Sequence, residues 1–244
     1  MKLPHHSIAR PRRFFAALAL FGLFFLVCAA LGTWQVERRF WKLALIERVE
    51  SRVHAAPVAA PGPEQWTHID ADDDEYLHVT LTGRYLFSAE TLVEASTEFG
   101  TGWWVMTPLQ LADDNIVLVN RGFVPEAPKP QPDAQTSVVV TGLLRMTEPE
   151  GRFLRKNDPQ GKRWFSRDVA AIAAAQHLPA ARIAPWFLDA DAAAVQQTGE
   201  PVGGLTVIHF YNHHLTYILT WYTLALMSAA AIVYLIRSER QRQQ

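Results

Sequence analysis

The sequence contains a single cysteine, Cys28, among its 244 residues. One thiol excludes an intrachain disulfide and any metal or redox motif built from paired thiolates. The chain also has no surplus of basic residues, because its formal net charge is −1, so its charge gives no indication of nucleic-acid binding. It lacks a serine nucleophile elbow, a phosphate-binding loop, a dinucleotide glycine fingerprint and a zinc-protease helix. The sequence therefore does not point to an enzyme.

Formally charged residues are absent from two long stretches of the chain. The first runs from Phe14 to Val36, and as a helix rising about 1.5 Å per residue it exceeds the ~30 Å hydrocarbon core of a bilayer. The second lies between Glu200 and Arg237, where Leu215 to Ile236 is almost wholly apolar. Both stretches predict transmembrane helices.

For the first stretch, a cleaved signal peptide is the alternative, since Cys28 and Ala30 are small residues of the kind that precede a cleavage site. A membrane helix is the better interpretation, because the apolar run is longer than a usual signal core. The run also continues to Trp34, and tryptophan anchors helices at the membrane interface. We therefore expect the first helix to remain part of the protein.

Basic residues flank both predicted spans on their outer ends. The flanking residues are Lys2, Arg10, Arg12 and Arg13 before the first span, and Arg237, Arg240 and Arg242 after the second. By the positive-inside rule both termini lie in the cytoplasm, so residues from about 37 to 213 lie on the outer side of the membrane. A short basic arm favours a bacterial protein over one with an organelle presequence. We therefore expect a bacterial inner membrane protein with a periplasmic domain.

Short β-type runs separated by turn residues begin at Tyr76. They read YLHVTLTGRYLF, TLVEA, WWVMTPLQL, NIVLVN and SVVVTGLLRM. Two of them contain a Thr-Gly step, at Gly83 and Gly142, and glycine within a strand usually marks a bulge or a sharp bend of the kind that closes barrels. Residues Asp168 to His177 predict one helix, and Pro125 to Asp133, with four prolines, predict an exposed loop.

The predicted fold is a membrane protein in which two transmembrane helices flank a mostly antiparallel, barrel-like β domain with about one helix. After the first span, Trp41, Leu45 and Val49 share one helical face, so the helix continues until the prolines of Ala55–Pro63 end it. The predicted segments are a cytoplasmic basic arm (1–13), a first transmembrane helix (14–36), a juxtamembrane helix with a Pro-rich linker (37–63), a periplasmic β-rich domain (64–211), a second transmembrane helix (212–236) and a cytoplasmic basic tail (237–244). A closed barrel is expected to be a rigid platform without a site of its own.

The start of the second span carries the candidate binding residues. If the helix begins near Asn212, then His214, Tyr217 and Trp221 form one stripe that descends into the lipid, because a seven-residue step returns to nearly the same helical face. Two interpretations compete. The stripe is either an aromatic belt at the membrane interface, which the spacing alone favours, or a surface for a flat hydrophobic ligand whose metal, as in haem, is bound by the imidazole.

Four motifs resemble those of the Surfeit locus protein 1 family, the cytochrome c oxidase assembly factors. The motifs are LGTWQVERRFWK at Leu31–Lys42, NRGFVP at Asn120–Pro125, NDPQGKRWFSRD at Asn157–Asp168 and NHHLTYILTW at Asn212–Trp221. In the second motif Phe123 stands where the family more often has tryptophan, and in the fourth His213 replaces an asparagine. Because the motifs lie near both ends and in the middle, the resemblance covers nearly the whole chain.

The resemblance implies a protein that binds haem a and helps to insert it into subunit I of the oxidase. In bacterial members haem a binding is attributed to the histidine of the second span, which matches His214 as axial ligand of the haem iron, and Trp221 matches a nearby family tryptophan. With Tyr217 of the stripe and the adjacent His213, these residues form the candidate cofactor site, and which histidine binds iron stays open. The implied partners are oxidase subunit I, haem a synthase and the lipid bilayer, with no nucleic acid.

Two other interpretations stay open. In the first, the protein is a membrane scaffold that holds nascent oxidase subunits without a cofactor, and His214 only anchors the helix. In the second, it is a membrane-tethered enzyme, which would need a polar pocket with a shifted ionisable group in the outer domain. Arg38 and Arg121 are candidates for neutralising haem propionates, but a juxtamembrane anchor and a turn cap, respectively, are the preferred roles.

Overall fold

The computed structural model describes residues 12–152, 154–193, 199–206 and 214–242. The chain divides into two compact units. We call Met1–Arg48 together with His209–Gln244 the helical unit, and Val49–Ile208 the barrel domain. His213 of the candidate site and the expected helix start at Asn212 lie outside the described residues.

Two long helices account for the apolar ends of the chain. Helix α1 spans Arg12–Val53 and helix α3 spans His214–Arg242. Their most apolar 18-residue windows have mean hydropathies of 2.7 and 1.8, and both helices are long and apolar enough to cross a membrane. At about 1.5 Å per residue, α1 is roughly twice as long as a ~30 Å hydrocarbon core. The prediction of two membrane-capable helices on either side of a β domain is confirmed.

Helices α1 and α3 pair in antiparallel fashion within the helical unit. Three side-chain contacts join them: Phe21 O with Ser228 Oγ at 2.8 Å, Thr33 Oγ1 with Tyr222 Oη at 3.2 Å, and Gln35 Oε1 with His214 Nδ1 at 2.7 Å. Residue numbers rise along α1 as they fall along α3, which fixes the antiparallel direction. Cys28 of α1 and Ala225 of α3 are buried, so small side chains let the two helices approach closely.

The described part of the barrel domain contains seven strands, one further α-helix and three single-turn 3-10 helices. The strands are β1 (Val58–Ala59), β2 (His78–Tyr85), β3 (Thr91–Thr97), β4 (Gly100–Leu111), β5 (Ile116–Val124), β6 (Val138–Met146) and β7 (Ile183–Ala190), and the helix is α2 (Val169–Ala175). Strands β2, β6, β7, β5 and β4 pair in that order, and β4 also pairs with β2, which closes the barrel. Every pair in this ring is antiparallel except β5 with β7, which is parallel. The predicted barrel-like, mostly antiparallel fold is confirmed.

Gly83 and Gly142, the two glycines predicted to help close the barrel, let neighbouring strand backbones approach closely. The irregularities in strand register lie at other positions. Gly83 pairs with both β4 and β6, and an added Cβ would overlap the carbonyl oxygen of Gln110. Gly142 lies between β2 and β7, where a Cβ would overlap the carbonyl oxygen of Asp189. The register instead shifts between Trp104 and Met106 and within β5. Of the two alternatives expected at these glycines, a bulge or a sharp bend, the bulge is found at neither position, and both glycines lie where the strands of the barrel approach closely.

The core of the barrel domain has two layers because β5 and β7 are buried on both faces. The inner layer includes Val79, Val117, Val119, Trp186 and Leu188, and the outer layer includes Leu118, Phe187, Val169 and Ile172. Helix α2 covers the outer face and begins at Asp168, whose side chain accepts a hydrogen bond from Ala171 N at 3.0 Å. Such a cap stabilises a helix by about 1 kcal/mol. The helix predicted for this segment is confirmed.

Candidate functional site

His214 is the first residue of α3 and is partly buried against α1. Its Nδ1 lies 2.7 Å from Oε1 of Gln35. Because an amide oxygen only accepts, Nδ1 carries the proton and donates it to Gln35, and Nε2 then keeps its lone pair. A ring held in this way is the form in which histidine binds a metal, since metal-binding histidines usually donate their second N–H to a carbonyl or carboxylate oxygen.

Trp221 shares the helical face of His214, whereas Tyr217 does not. His214 and Ser228 both contact α1, and Trp221 lies midway between them at seven-residue steps. Trp221 is partly buried, but Tyr217 is 53% exposed. The predicted stripe is thus divided: its histidine and tryptophan face the helix pair, and its tyrosine faces outward. Their roles in binding a cofactor stay predictions.

Sequence reasoning from single positions missed the residues of α1 that surround His214. Gln35 is its hydrogen-bond partner, and Gly32 lies one turn earlier. An added Cβ at Gly32 would come within 3.0 Å of the Tyr222 ring, so a larger residue would separate the helices there. Both α1 residues belong to the LGTWQ motif, which was the available signal. What the motif did not indicate is that it lies against the start of the second apolar helix.

Arg121, one of the two candidates for binding propionates, lies in β5 and has its own partners. Its guanidinium group lies 5.3 Å and 5.0 Å from the ring centres of Tyr85 and Phe87, and Nη1 is 3.4 Å from Oε2 of Glu90. Burial raises the pKa of Tyr85 to about 12, with Arg121 opposing that shift. Arg121 therefore stabilises a cation–π cluster of the barrel domain and does not cap a turn.

Arg38, the other candidate, lies on α1 two residues after the apolar run. Its guanidinium carbon is 4.0 Å from the centre of the Trp41 ring, and both side chains are exposed. An arginine stacked on tryptophan at the end of an apolar helix fits the preferred role of a juxtamembrane anchor.

The barrel domain contains a polar cavity of about 500 Å³, which we call the barrel cavity. Its floor is formed by Asp189, which is 4% exposed and accepts hydrogen bonds from four side chains: those of Asn120, Arg145, Arg167 and Thr206. A cavity in this domain differs from the expectation that a closed barrel has no site of its own. The barrel closes through its strands, but loop residues such as Gly203 and Thr206 line the cavity beside the sheet.

Two ionisable groups at the barrel cavity have shifted pKa values. Burial disfavours the charge of Arg167, but the carboxylates of Asp189 and Glu148 outweigh it and raise the pKa of the guanidinium. Burial likewise disfavours the charge of Glu148, and its hydrogen bonds from Arg167 outweigh that effect and lower its pKa. Both groups are thus held in their charged forms. Neither has the intermediate pKa that a general acid or base requires.

A metal site made of clustered protein ligands is absent from the part of the chain that the structure describes. No group of three or more His, Cys, Asp or Glu side chains there is arranged to hold an ion.

The chain has two membrane-capable helices that pair through polar contacts, and a closed β-barrel domain lies between them in the sequence. These features define a class of two-span membrane proteins. The SURF1 family model matches residues 22–226, and the chain therefore belongs to the SURF1 family. Surfeit locus protein 1 of Rattus norvegicus is 36% identical over 217 residues, which cover 80% of this chain and 67% of that protein. The human protein of the same name is also 36% identical, over 222 residues covering 80% and 69%. The SURF1-like protein of Monosiga brevicollis is 33% identical over 234 residues, covering 88% and 86%.

Proposed function

We propose that the protein is an assembly factor for a haem–copper cytochrome c oxidase that binds haem a through His214 and assists its insertion into subunit I. Membership of the SURF1 family supports the role in assembly. The single observation that supports cofactor binding is the hydrogen bond between His214 Nδ1 and Gln35 Oε1, 2.7 Å long. It orients the ring and leaves the Nε2 lone pair available for a metal.

The residues around His214 fit a porphyrin in their chemistry. Haem a would supply an iron that takes an imidazole nitrogen as axial ligand and a flat, apolar ring system that prefers lipid to water. Trp221 offers an apolar surface on the same helical face, and Tyr217 is exposed one turn from the histidine. Gln35 acts as the positioning residue, since its Oε1 accepts the hydrogen bond from Nδ1 and so fixes the tautomer of His214.

The charges that flank the membrane helices support the proposed orientation and location of the protein. Both termini lie in the cytoplasm and the barrel domain lies in the periplasm, because basic residues follow α3 and precede the apolar part of α1. In a bacterial inner membrane the lipid bilayer itself provides the route for an apolar cofactor from haem a synthase to oxidase subunit I. The role is that of a carrier and not of an enzyme, in keeping with the stable charges at the barrel cavity.

The test is the visible spectrum of the detergent-purified protein from cells that make haem a. We expect haem bands in the wild type and in His54→Ala, a control in which an exposed histidine is removed. We expect their loss in His214→Ala and their retention in His213→Ala. If only His213→Ala loses the bands, the ligand shifts by one residue. If the wild type itself purifies without haem, the carrier proposal fails and a scaffold for nascent subunits explains the same fold.

A further inference from the structure

The barrel cavity is not used by the proposed function, and the hydrogen-bond donors and acceptors along its walls differ in how far they are already paired. Asp189 has no acceptor capacity left. Its Oδ1 accepts from Asn120 and Arg167, and its Oδ2 accepts from Arg145, Arg167 and Thr206, at 2.8 to 3.3 Å. A carboxylate has about four lone-pair sites, so five contacts fill it. Asp189 is therefore a structural centre and not a group that binds a ligand.

The other two carboxylates that line the barrel cavity are also paired. Glu148 accepts hydrogen bonds from Nε and Nη2 of Arg167, and Glu94 accepts one from Nη1 of Arg155 at 2.6 Å. These pairs use the acidic groups of the wall within the barrel domain itself. Among these acceptors Glu94 Oε2 has no hydrogen-bond partner in the described residues, so the wall offers one open carboxylate oxygen against several open guanidinium donors.

Donors, in contrast, remain on two arginines of the wall. Arg145 donates Nε to Glu75 at 3.3 Å and Nη1 to Asp189 at 2.9 Å. A guanidinium group carries five N–H donors, so Nη2 of Arg145 keeps both of its donors among the described residues. The side chain is 15% exposed and its guanidinium carbon lies 4.7 Å from the centre of the Tyr76 ring, so the two Nη2 donors remain open to a ligand or to water.

Arg152 is the second arginine with donors to spare. It lines the barrel cavity, and its side chain forms no hydrogen bond or ion pair with any residue that the structure describes. Its neighbours in the same loop behave differently: Arg155 pairs with Glu94, and Arg163 pairs with Asp158 at 2.7 Å. Arg152 is thus a cation of the cavity wall without a carboxylate partner among the described residues.

Aromatic rings stand beside these donors. Trp104 and Phe165 both line the barrel cavity, and Phe165, Glu94 and Arg152 also line a smaller adjoining cleft of about 260 Å³. A wall that combines unused guanidinium donors with aromatic rings suits a ligand with an anionic end and an apolar ring. The cavity volume lies within the range of about 300–1,000 Å³ that is usual for small organic ligands.

We propose that the barrel cavity binds a carboxylate-bearing organic anion with an apolar ring. The carboxylate accepts hydrogen bonds from Arg145 at the floor and from Arg152 at the rim, and the ring lies against Trp104 and Phe165. Guanidinium groups suit this role because their paired N–H donors match the two oxygens of a carboxylate. The site lies entirely within the barrel domain and does not depend on haem binding.

The test is calorimetric titration of the full chain in lipid nanodiscs with 2-naphthoate, which has one carboxylate on an apolar two-ring body and is ionised at pH 7. Empty nanodiscs provide the baseline, and 2-naphthol is the uncharged probe of matched shape. We expect saturable binding of 2-naphthoate and at least about tenfold weaker binding of 2-naphthol, since hydrogen bonds to charged groups are the stronger ones.

Two variants locate the site. Arg152→Gln removes the unpaired cation, and because this side chain has no partner among the described residues the variant is expected to fold like the wild type while binding 2-naphthoate about tenfold more weakly. Arg163→Gln removes the same charge from the same loop but not from the cavity wall, and should bind like the wild type. No heat above that of empty nanodiscs, equal binding of the two probes, or unchanged affinity in Arg152→Gln would each overturn the proposal.

Discussion

His214 in the helical unit and Asp189 in the barrel domain are both polar groups shielded from water, yet their hydrogen bonding is opposite. The histidine has one hydrogen-bond partner among the described residues, Gln35, and keeps a lone pair. The aspartate, 4% exposed, has both oxygens filled by four side chains. A buried polar group with all of its capacity used stabilises a fold, whereas one with capacity left can bind a ligand. By this comparison Asp189 is a group that stabilises the fold, and His214 is a group that is available to bind a ligand.

The largest effect is expected from Asp189→Asn. The change leaves Arg145 and Arg167 without their shared carboxylate, and breaking a buried ion pair from one side costs about 3–5 kcal/mol. We expect a clear fall in the free energy of unfolding of the barrel domain, measured by urea denaturation followed by near-UV circular dichroism. Asp158→Asn, at an exposed ion pair, is the control and should lower the stability far less, because water screens the charges there. Equal stability of the two variants would remove the structural role given to Asp189.

Gly142→Ala tests the backbone beside the same aspartate. The new Cβ would overlap the carbonyl oxygen of Asp189, and forcing an extra methyl group into a packed site costs about 1–3 kcal/mol. Gly22→Ala in α1 is the matched control, because an added Cβ there meets nothing within 4 Å. Thermal melts of the two variants should therefore separate. A melt of Gly142→Ala that matches the wild type would contradict the close approach of β6 and β7 at this point.

Gln35→Leu tests the hydrogen bond that holds the ring of His214 in the helical unit. Without an acceptor at Nδ1, the ring of His214 loses its orientation, and loss of such a partner typically weakens metal binding about 10- to 100-fold. The ¹⁵N chemical shifts of histidine in the haem-free protein report the tautomer directly. We expect the Nδ1–H form in the wild type and its loss in Gln35→Leu.

Gln35→Glu supplies the control, because a carboxylate still accepts from Nδ1 and should keep the tautomer. An unchanged tautomer in Gln35→Leu would remove the positioning role of Gln35 even if haem binds. Normal tautomers together with a haem-free wild type would instead overturn the proposed function and leave the hydrogen bond intact.

The smallest expected effect is the pH dependence of stability due to His78. Its Nδ1 and Nε2 lie 2.8 Å from Ala55 O and from Asp191 Oδ2, so both nitrogens face acceptors and the imidazolium satisfies them best. Burial opposes the charge, but the hydrogen bonds to Asp191 and to Ala55 O outweigh it and raise the pKa of His78 above its usual value. The stabilisation is therefore full below about pH 6.5 and is lost as pH rises through the folded-state pKa.

Unfolding by urea at a series of pH values from 5.5 to 8.5 measures this contribution, which we place at less than about 1 kcal/mol for an ion pair near the surface. His78→Gln should remove the corresponding slope. A slope that persists in the variant would assign the pH dependence to another group.

Local sequence patterns were sufficient for the elements that depend on neighbouring residues. Charge-free runs predicted both long helices, short β-type runs between turn residues predicted β2 to β6, and the segment beginning at Asp168 predicted α2. The same patterns missed β1, which has two residues and lies in the predicted linker Ala55–Pro63. So short a strand carries no periodic signal, and it forms only because β2 lies beside it.

What the sequence by itself determined about this protein is its kind: two apolar helices, a β-rich domain between them and the motifs of the SURF1 family. Only the tertiary structure decided which polar groups are in use. Gln35 meets His214 across 179 positions, and Asp189 collects partners from four separate segments. The parallel pairing of β5 with β7 and the closure of β4 onto β2 are likewise non-local. Contacts of this kind depend on how distant segments pack, and no local periodicity encodes them.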